Sequence, residues 1–189
     1  MKSLGAKTLV YTAPVWIVGS YDAAGKPNGM AVSWGGICCS QPPCLSVALR
    51  KATHSYASLD GKGDFTVSVP SETQVVAADY FGIASGRETD KFRDTGLTPA
   101  KSALVDAPYV AEFPLVYECR VRHKLEIGLH TLFVGEILDV KVSEAALGAD
   151  GHPDIEKLRP FVFLAGPRAY HGIGKRLGKA FEIGKKPRG

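Results

Sequence analysis

The chain has 189 residues, of which 45% are hydrophobic and 22% charged, and its formal net charge is +4. A mean hydropathy near zero is typical of a globular protein that buries one core, and we expect a single domain over residues 1–189. No segment approaches the roughly 20 apolar residues that span a bilayer, and the N-terminus lacks the apolar core of a signal peptide, so we expect a cytoplasmic protein without a membrane partner.

The N-terminal part of the chain predicts short strands separated by turns. Thr8 to Gly19 is rich in β-branched and aromatic residues, although Pro14 interrupts the run. Turn residues fill Tyr21 to Gly29, so Met30 to Trp34 should pair back as a hairpin. Two further strands are expected at Leu45 to Leu49 and at Asp64 to Val69.

Two short helices interrupt this pattern. Thr53 is a candidate N-cap for a helix that ends before Gly61. Ser71 to Gln74 has the spacing of a capping box, which predicts a helix to about Phe81. The polar, irregular segment from Gly82 to Val105 should lie on the surface and cover a site.

A long hairpin is predicted further along the chain. Leu115 to Ile127 alternates strictly between apolar and polar residues, which indicates a half-buried strand, and the pattern resumes after Gly128 from Leu132 to Val142. With at least six strands and few helices, the fold class is mainly β, either a barrel or a sandwich.

The four cysteines, Cys38, Cys39, Cys44 and Cys119, give neither the framework of a secreted disulfide domain nor a CxxC pair. We therefore expect no metal site and interpret these residues as small buried side chains.

The start of the first predicted helix is a candidate anion site. Arg50 and Lys51 end a strand, and Thr53, His54 and Ser55 follow where the first helical amides are unpaired. A phosphate would be held there by charge-assisted hydrogen bonds. The alternative is that Thr53 only caps the helix and that the two basic residues are solvated.

The neighbouring segment from Ser33 to Ser40 is predicted as a small-residue loop. Gly35 and Gly36 would let backbone N–H groups approach a planar ligand beside Trp34, and an oxidised flavin presents several acceptors to such donors. A β-bulge and a core tryptophan would explain the same residues.

Seven motifs in order along the chain resemble the flavin reductase-like proteins of the FMN-binding split-barrel superfamily, and within it the flavoredoxin group. They are NGMAVSW, the PP of QPPCLSVAL, RKATHSY, GDFTVSVP, SGRETDKF, HTLFVGEI and RPFVFLAG. The resemblance implies a six-stranded antiparallel Greek-key split β-barrel with a few short helices. It also implies a homodimer with non-covalent FMN near the subunit interface.

The resemblance also assigns roles to individual residues. Contact with the isoalloxazine ring and ribityl chain is implied for Asn28, Met30, Ser33 and Trp34, and a phosphate cradle for Arg50, Lys51, Thr53 and Ser55. Lys91 would reach the flavin or phosphate from the covering segment, Phe163 would close the pocket, and His130 would lie at the ring as the catalytic candidate. Without the resemblance, Lys91 would count as a surface charge and His130 as an idle turn histidine. Family members often carry an aspartate before this histidine, where the present chain has Leu129.

These features lead to three hypotheses of function. The first is an FMN-binding electron carrier of flavoredoxin type, reduced by a partner redox protein; the second is an NAD(P)H-dependent flavin reductase; the third is a barrel without reductase activity. The sequence contains no GxGxxG between a strand and a helix, so a nicotinamide donor would have to stack on the flavin itself. The basic C-terminal tail is interpreted as a solvated or partner-docking segment, and no nucleic acid is expected as a partner.

Overall fold

A rolled antiparallel sheet of seven strands dominates the fold of residues 1–185, the part of the chain that this computed structural model describes. The strands in chain order are β1 (Ala13–Pro14), β2 (Trp16–Tyr21), β3 (Pro27–Val32), β4 (Gly35–Ser40), β5 (Pro43–Arg50), β6 (Asp64–Val69), β7 (Pro99–Lys101), β8 (Pro108–Val110), β9 (Leu115–Ile127), β10 (His130–Val142), β11 (Phe161–Leu164) and β12 (Ala169–Gly172). The main sheet has the order β3-β2-β6-β9-β10-β5-β4.

The sheet rolls until its two edges meet. Its edge strands are β3 and β4, and only Ser33 and Trp34 join them. The Trp34 carbonyl accepts a hydrogen bond of 2.8 Å from the Ala48 amide of β5, which fixes this corner. The mainly β class and the barrel are therefore confirmed, with seven strands instead of six.

Two smaller sheets and four helices complete the fold. One sheet has the order β1-β11-β12, and the other pairs β7 with β8. The helices are α1 (His54–Lys62), α2 (Val75–Ile83), α3 (Lys91–Thr95) and α4 (Ile155–Leu158). The predicted capping box is present, because the Ser71 amide donates to Gln74 Oε1 at 2.8 Å ahead of α2. None of the helices in residues 1–185 combines the length and apolarity needed to cross a bilayer.

The core has two main parts. Inside the barrel, Phe65 and Phe133 are fully buried among aliphatic residues of β2, β5 and β6. Under α2, Phe81 packs edge-on against Phe92 with ring centroids 5.3 Å apart. Each such phenylalanine stabilises the fold by roughly 1.5–3 kcal/mol through burial. A Cβ on Gly29 would collide with the Phe81 ring, so glycine lets α2 lie directly on β3.

The structure corrects several sequence-based expectations. Ser33 to Ser40 is mostly the edge strand β4, because backbone pairing with β5 outweighs the weak strand propensity of its glycines. Cys38 and Cys39 are exposed on this strand, whereas Cys44 and Cys119 are buried as expected. The alternation in β9 does not give a half-buried strand. Near its start the strand is buried on both faces, and beyond Arg120 it is mostly exposed because this half pairs with β10 but not with β6.

The small β1-β11-β12 sheet was not predicted. The basic tail is exposed up to residue 185, and its last four residues lie outside the described part of the chain.

Candidate functional site

A continuous groove runs along the seam between β3 and β5. It consists of two cavities of about 220 Å³ each, which share Met30, Thr53 and Gly82 as lining residues. The inner cavity lies between the start of α1 and the covering segment, and the outer cavity opens beside Trp34 and His130. The groove brings together most of the residues selected from the sequence.

Asn28 and Ser55 form the buried floor between β3 and α1. Asn28 Nδ2 donates to Ser55 Oγ at 2.8 Å, and both side chains are buried. Gly86 of the covering segment closes over this pair, because a Cβ there would collide with Asn28 Oδ1 and lie 2.7 Å from His54 Cδ2. The covering segment therefore reaches the site only because residue 86 is glycine.

The first turn of α1 faces the inner cavity. Thr53 is the N-cap residue, but its hydroxyl donates to the Arg50 carbonyl at 2.8 Å and makes no capping bond to the helix. The first amides of a helix lack intrahelical partners, and the helix dipole makes this end positive. His54 and Ser55 supply these amides next to the cavity.

Lys91 is a buried cation at the same cavity. The side chain is 5% exposed, and its Nζ donates to the Gly29 carbonyl at 2.9 Å and to the Phe81 carbonyl at 3.0 Å. No carboxylate within residues 1–185 lies within ion-pair distance of this ammonium. Burial lowers the pKa of Lys91 to about 8. An ammonium has three donor hydrogens, so one remains for a ligand.

Two basic residues of the inner cavity were not selected as site residues from the sequence. Arg87 lines it and donates from Nη1 to the Ala52 carbonyl at 2.9 Å, although the quoted SGRETDKF motif already contained this arginine. His54 also lines it, with Nε2 3.8 Å from Asp22 Oδ2. Burial, aided by Arg87 and other nearby cations, lowers the pKa of His54 against the opposing effect of Asp22. A basic residue directly after the small turn residues Ser85 and Gly86 was the signal that could have identified Arg87.

The outer cavity is the more open of the two and has a tryptophan in its wall. Trp34 is 38% exposed and lines it together with Ser33, Arg50 and His130. His130 begins β10 and pairs with Arg50 of β5 in the strand register.

Phe163 is not a lining residue of this cavity; its ring packs behind Trp34 at a centroid distance of 6.5 Å. Tyr170 in turn packs on Phe163 at a centroid distance of 5.8 Å. Phe163 therefore contacts Trp34 without lining the cavity itself, and closure of the pocket by Phe163 stays a prediction.

Lys51 is the one predicted cradle residue that lies away from the groove. Its ammonium forms an ion pair of 2.6 Å with Glu126 on the β9–β10 hairpin, and it lines neither cavity. The reason is geometric: Lys51 follows the last residue of β5, where the hairpin tip offers the nearest carboxylate. The groove thus combines Arg50, Arg87, Lys91 and the start of α1, and its charge favours an anionic ligand at the inner end.

The family model described as "Flavin reductase like domain" matches residues 8–172. The chain belongs to this family. The resemblance noted in the sequence motifs is thereby confirmed.

Solved structures extend the match to nearly the whole chain. This chain is 52% identical to the flavoredoxin of Desulfovibrio vulgaris (Miyazaki F), with a TM-score of 0.94 over 98% of this chain and 100% of that one. A flavoredoxin from Methanosarcina acetivorans is 30% identical, with a TM-score of 0.89 over 98% of each chain. A protein of Rhizobium meliloti named "Probable flavin reductase" is 27% identical over 127 residues, which are 67% of this chain and 39% of that protein.

Proposed function

We propose that this protein is an FMN-binding redox protein of flavoredoxin type. The groove provides a polar, cationic inner end and an aromatic outer end, which are the two environments that a phosphorylated flavin requires. Buried Lys91, which lacks a carboxylate partner within residues 1–185, is the observation that carries the proposal. Such an ammonium is costly to bury, and an anionic ligand would offset that cost.

The inner cavity suits the phosphate of FMN. Lys91 and Arg87 supply positive charge, Thr53 and Ser55 supply hydroxyl groups, and the start of α1 supplies free amides. The close approach of Gly86 to Asn28 places the covering segment next to these donors.

The outer cavity suits the isoalloxazine ring. Met30, Ser33 and Trp34 form a wall with both apolar and polar groups. At its rim, Arg50 supplies positive charge and His130 supplies an imidazole that can donate or accept a hydrogen bond. Bound FMN would accept a hydride or single electrons, while the residues of the chain orient it and stabilise negative charge on its reduced form. His130 is the proposed catalytic residue, because it lines the open end that a reducing partner can approach.

The identity of the electron donor distinguishes two versions of the proposal. Similarity to flavoredoxins over nearly the whole chain favours an electron carrier reduced by a partner redox protein. The partial match to the Rhizobium meliloti protein favours an NAD(P)H-dependent flavin reductase as the second candidate.

The decisive experiment is the absorption spectrum of purified protein, followed by anaerobic addition of NADH, NADPH and, separately, a reduced iron–sulfur protein. A flavin spectrum that only the iron–sulfur protein bleaches supports the carrier, and bleaching by a nicotinamide supports the reductase. A colourless protein that cannot be reconstituted with FMN would refute both.

A homodimer is the second part of the proposal. Leu125, Ile127 and Leu129 at the tip of the β9–β10 hairpin are 58%, 53% and 63% exposed. Apolar residues clustered in this way are typical of protein interfaces. Ile127 is the Cα partner of His130, so a second copy docked on this tip would also cover the outer cavity.

Light scattering after size-exclusion chromatography tests the dimer. Ile127→Asp should convert a dimer into a folded monomer, whereas Val76→Asp, at another exposed site that lines neither cavity, should leave it dimeric. A monomeric wild-type protein would refute this part.

We further propose a cytoplasmic location, because exposed thiols such as Cys38 persist in a reducing compartment.

A further inference from the structure

Three cysteines converge on the β4–β5 hairpin, apart from the residues that line the groove. Cys38 and Cys39 are consecutive on β4, and Cys44 lies near the start of β5. Cys39 and Cys44 are direct Cα partners in the antiparallel register, and a register shift leaves Cys38 without a partner of its own. All three are free thiols, with Cys38 and Cys39 exposed and Cys44 buried.

The register selects one pair that a disulfide can join. Directly opposed residues of antiparallel strands have Cα atoms about 4.5 or 5.5 Å apart. A disulfide spans Cα distances of about 4.4–6.8 Å, so the spacing of directly opposed residues such as Cys39 and Cys44 falls within its range. The Cys39 thiol, which donates to the Gln41 carbonyl at 3.4 Å, would turn toward Cys44. The consecutive residues Cys38 and Cys39 are only about 3.8 Å apart, which is below this range.

The remaining buried cysteine is too far away. Cys119 lies on β9, and β10 separates it from β5 in the sheet. Two strand spacings amount to about 9.5 Å, which exceeds the reach of a disulfide.

We propose that Cys39 and Cys44 form a reversible oxidation site, which hydrogen peroxide closes to a disulfide. Exposed Cys39 attacks one peroxide oxygen, the O–O bond breaks, and a sulfenic acid and water form. Cys44 then attacks the Cys39 sulfur, and the S–O bond breaks with release of a second water. In total, two thiols lose two hydrogens, and peroxide is reduced to two water molecules.

The positions of the two thiols determine their order of reaction. Burial, followed in size by the neighbouring thiols Cys39 and Cys38, raises the pKa of Cys44. Cys44 therefore keeps its proton and is poorly reactive toward peroxide by itself, but it lies opposite the sulfenic acid that forms on Cys39.

The disulfide should open readily with thiol reductants. It closes a loop of only the four residues 40–43, and short loops gain little from cross-linking. Exposed disulfides are also the ones that exchange with external thiols. The proposal does not depend on the flavin site, because it involves neither cavity of the groove.

The test uses reduced, full-length protein treated with hydrogen peroxide in slight excess. Titration of thiols in denaturant should fall from four to two per chain, with a mass loss of two hydrogens and full recovery by dithiothreitol. Cys38→Ser and Cys119→Ser should each still form the disulfide. Cys39→Ser and Cys44→Ser should each abolish it, and Cys39→Ser is the decisive variant because its side chain is exposed.

Several outcomes would overturn the proposal. These are four remaining thiols in the wild type, irreversible oxidation only, a disulfide between two chains, or loss of the disulfide in Cys38→Ser with retention in Cys39→Ser. The FMN spectrum of the same samples separates this result from the proposed function, because a protein without FMN can still form the disulfide.

Discussion

Replacing Lys91 tests the assignment of the inner cavity most directly. In Lys91→Met a long apolar side chain takes the place of a buried ammonium that hydrogen-bonds to Gly29 and Phe81. A hydrogen bond to a charged group contributes about 1.5–3 kcal/mol when the site is shielded from water. The variant should therefore bind FMN roughly 10- to 150-fold more weakly.

Riboflavin provides the matched ligand because it lacks the phosphate. Its dissociation constant should stay within about twofold in Lys91→Met if the ammonium serves the phosphate alone. Lys26→Met is the matched protein control, since Lys26 is a more exposed lysine that forms a 3.9 Å ion pair with Asp90. Fluorescence titration of apo-protein measures both ligands, and thermal melting checks the fold.

The pH dependence of FMN binding gives a second, independent test of Lys91. In the free protein, Lys91 loses its proton near pH 8, whereas a bound phosphate favours the charged form and raises its pKa. FMN affinity should therefore fall as the pH rises above about 8, and riboflavin affinity should not.

The same residue affects stability without flavin. The pKa of Lys91 in the folded protein is below its unfolded value of 10.5. Between these two pH values the unfolded chain therefore binds more protons than the folded one. As a result, Lys91 makes the free energy of unfolding increase with pH in this range. Equal losses of FMN and riboflavin affinity in Lys91→Met, or no loss of either, would show that Lys91 is structural and does not bind the phosphate.

Three further predictions concern the groove and the barrel. Gly86→Ala should weaken FMN binding because its Cβ would displace Asn28, whereas Gly36→Ala, which meets only open space, should bind normally in the same titration. Lys51→Ala should keep FMN affinity within about twofold of wild type, because the Lys51 ammonium pairs with Glu126 on the outer hairpin. A larger loss of affinity would show that Lys51 does contact the phosphate. Lys141→Met should lower the free energy of unfolding in urea by about 1–3 kcal/mol, because fully buried Glu118 would lose its cation; an unchanged unfolding midpoint would contradict this.

The local sequence patterns predicted most strands of the main sheet, with β4 as the exception. Alternation from Leu115 and the β-branched and aromatic residues from Asp64 to Val69 gave strands with the bounds that the structure has. The alternation did not predict burial, because β6 and the start of β9 are covered on both faces. The capping box at Ser71 was equally local. The motif order also indicated the family, and eight of the eleven residues that the resemblance assigned to the site line the groove.

Only the tertiary structure decided the placement of side chains whose partners are distant in sequence. Lys91 is buried because the carbonyls of Gly29 and Phe81 come together at its ammonium, and Lys51 leaves the groove because Glu126 lies within reach. The pairing of Cys39 with Cys44 likewise depends on a register shift in β4. Propensity and spacing act over a few residues, whereas burial, charge pairing and strand register are set by contacts across the whole barrel.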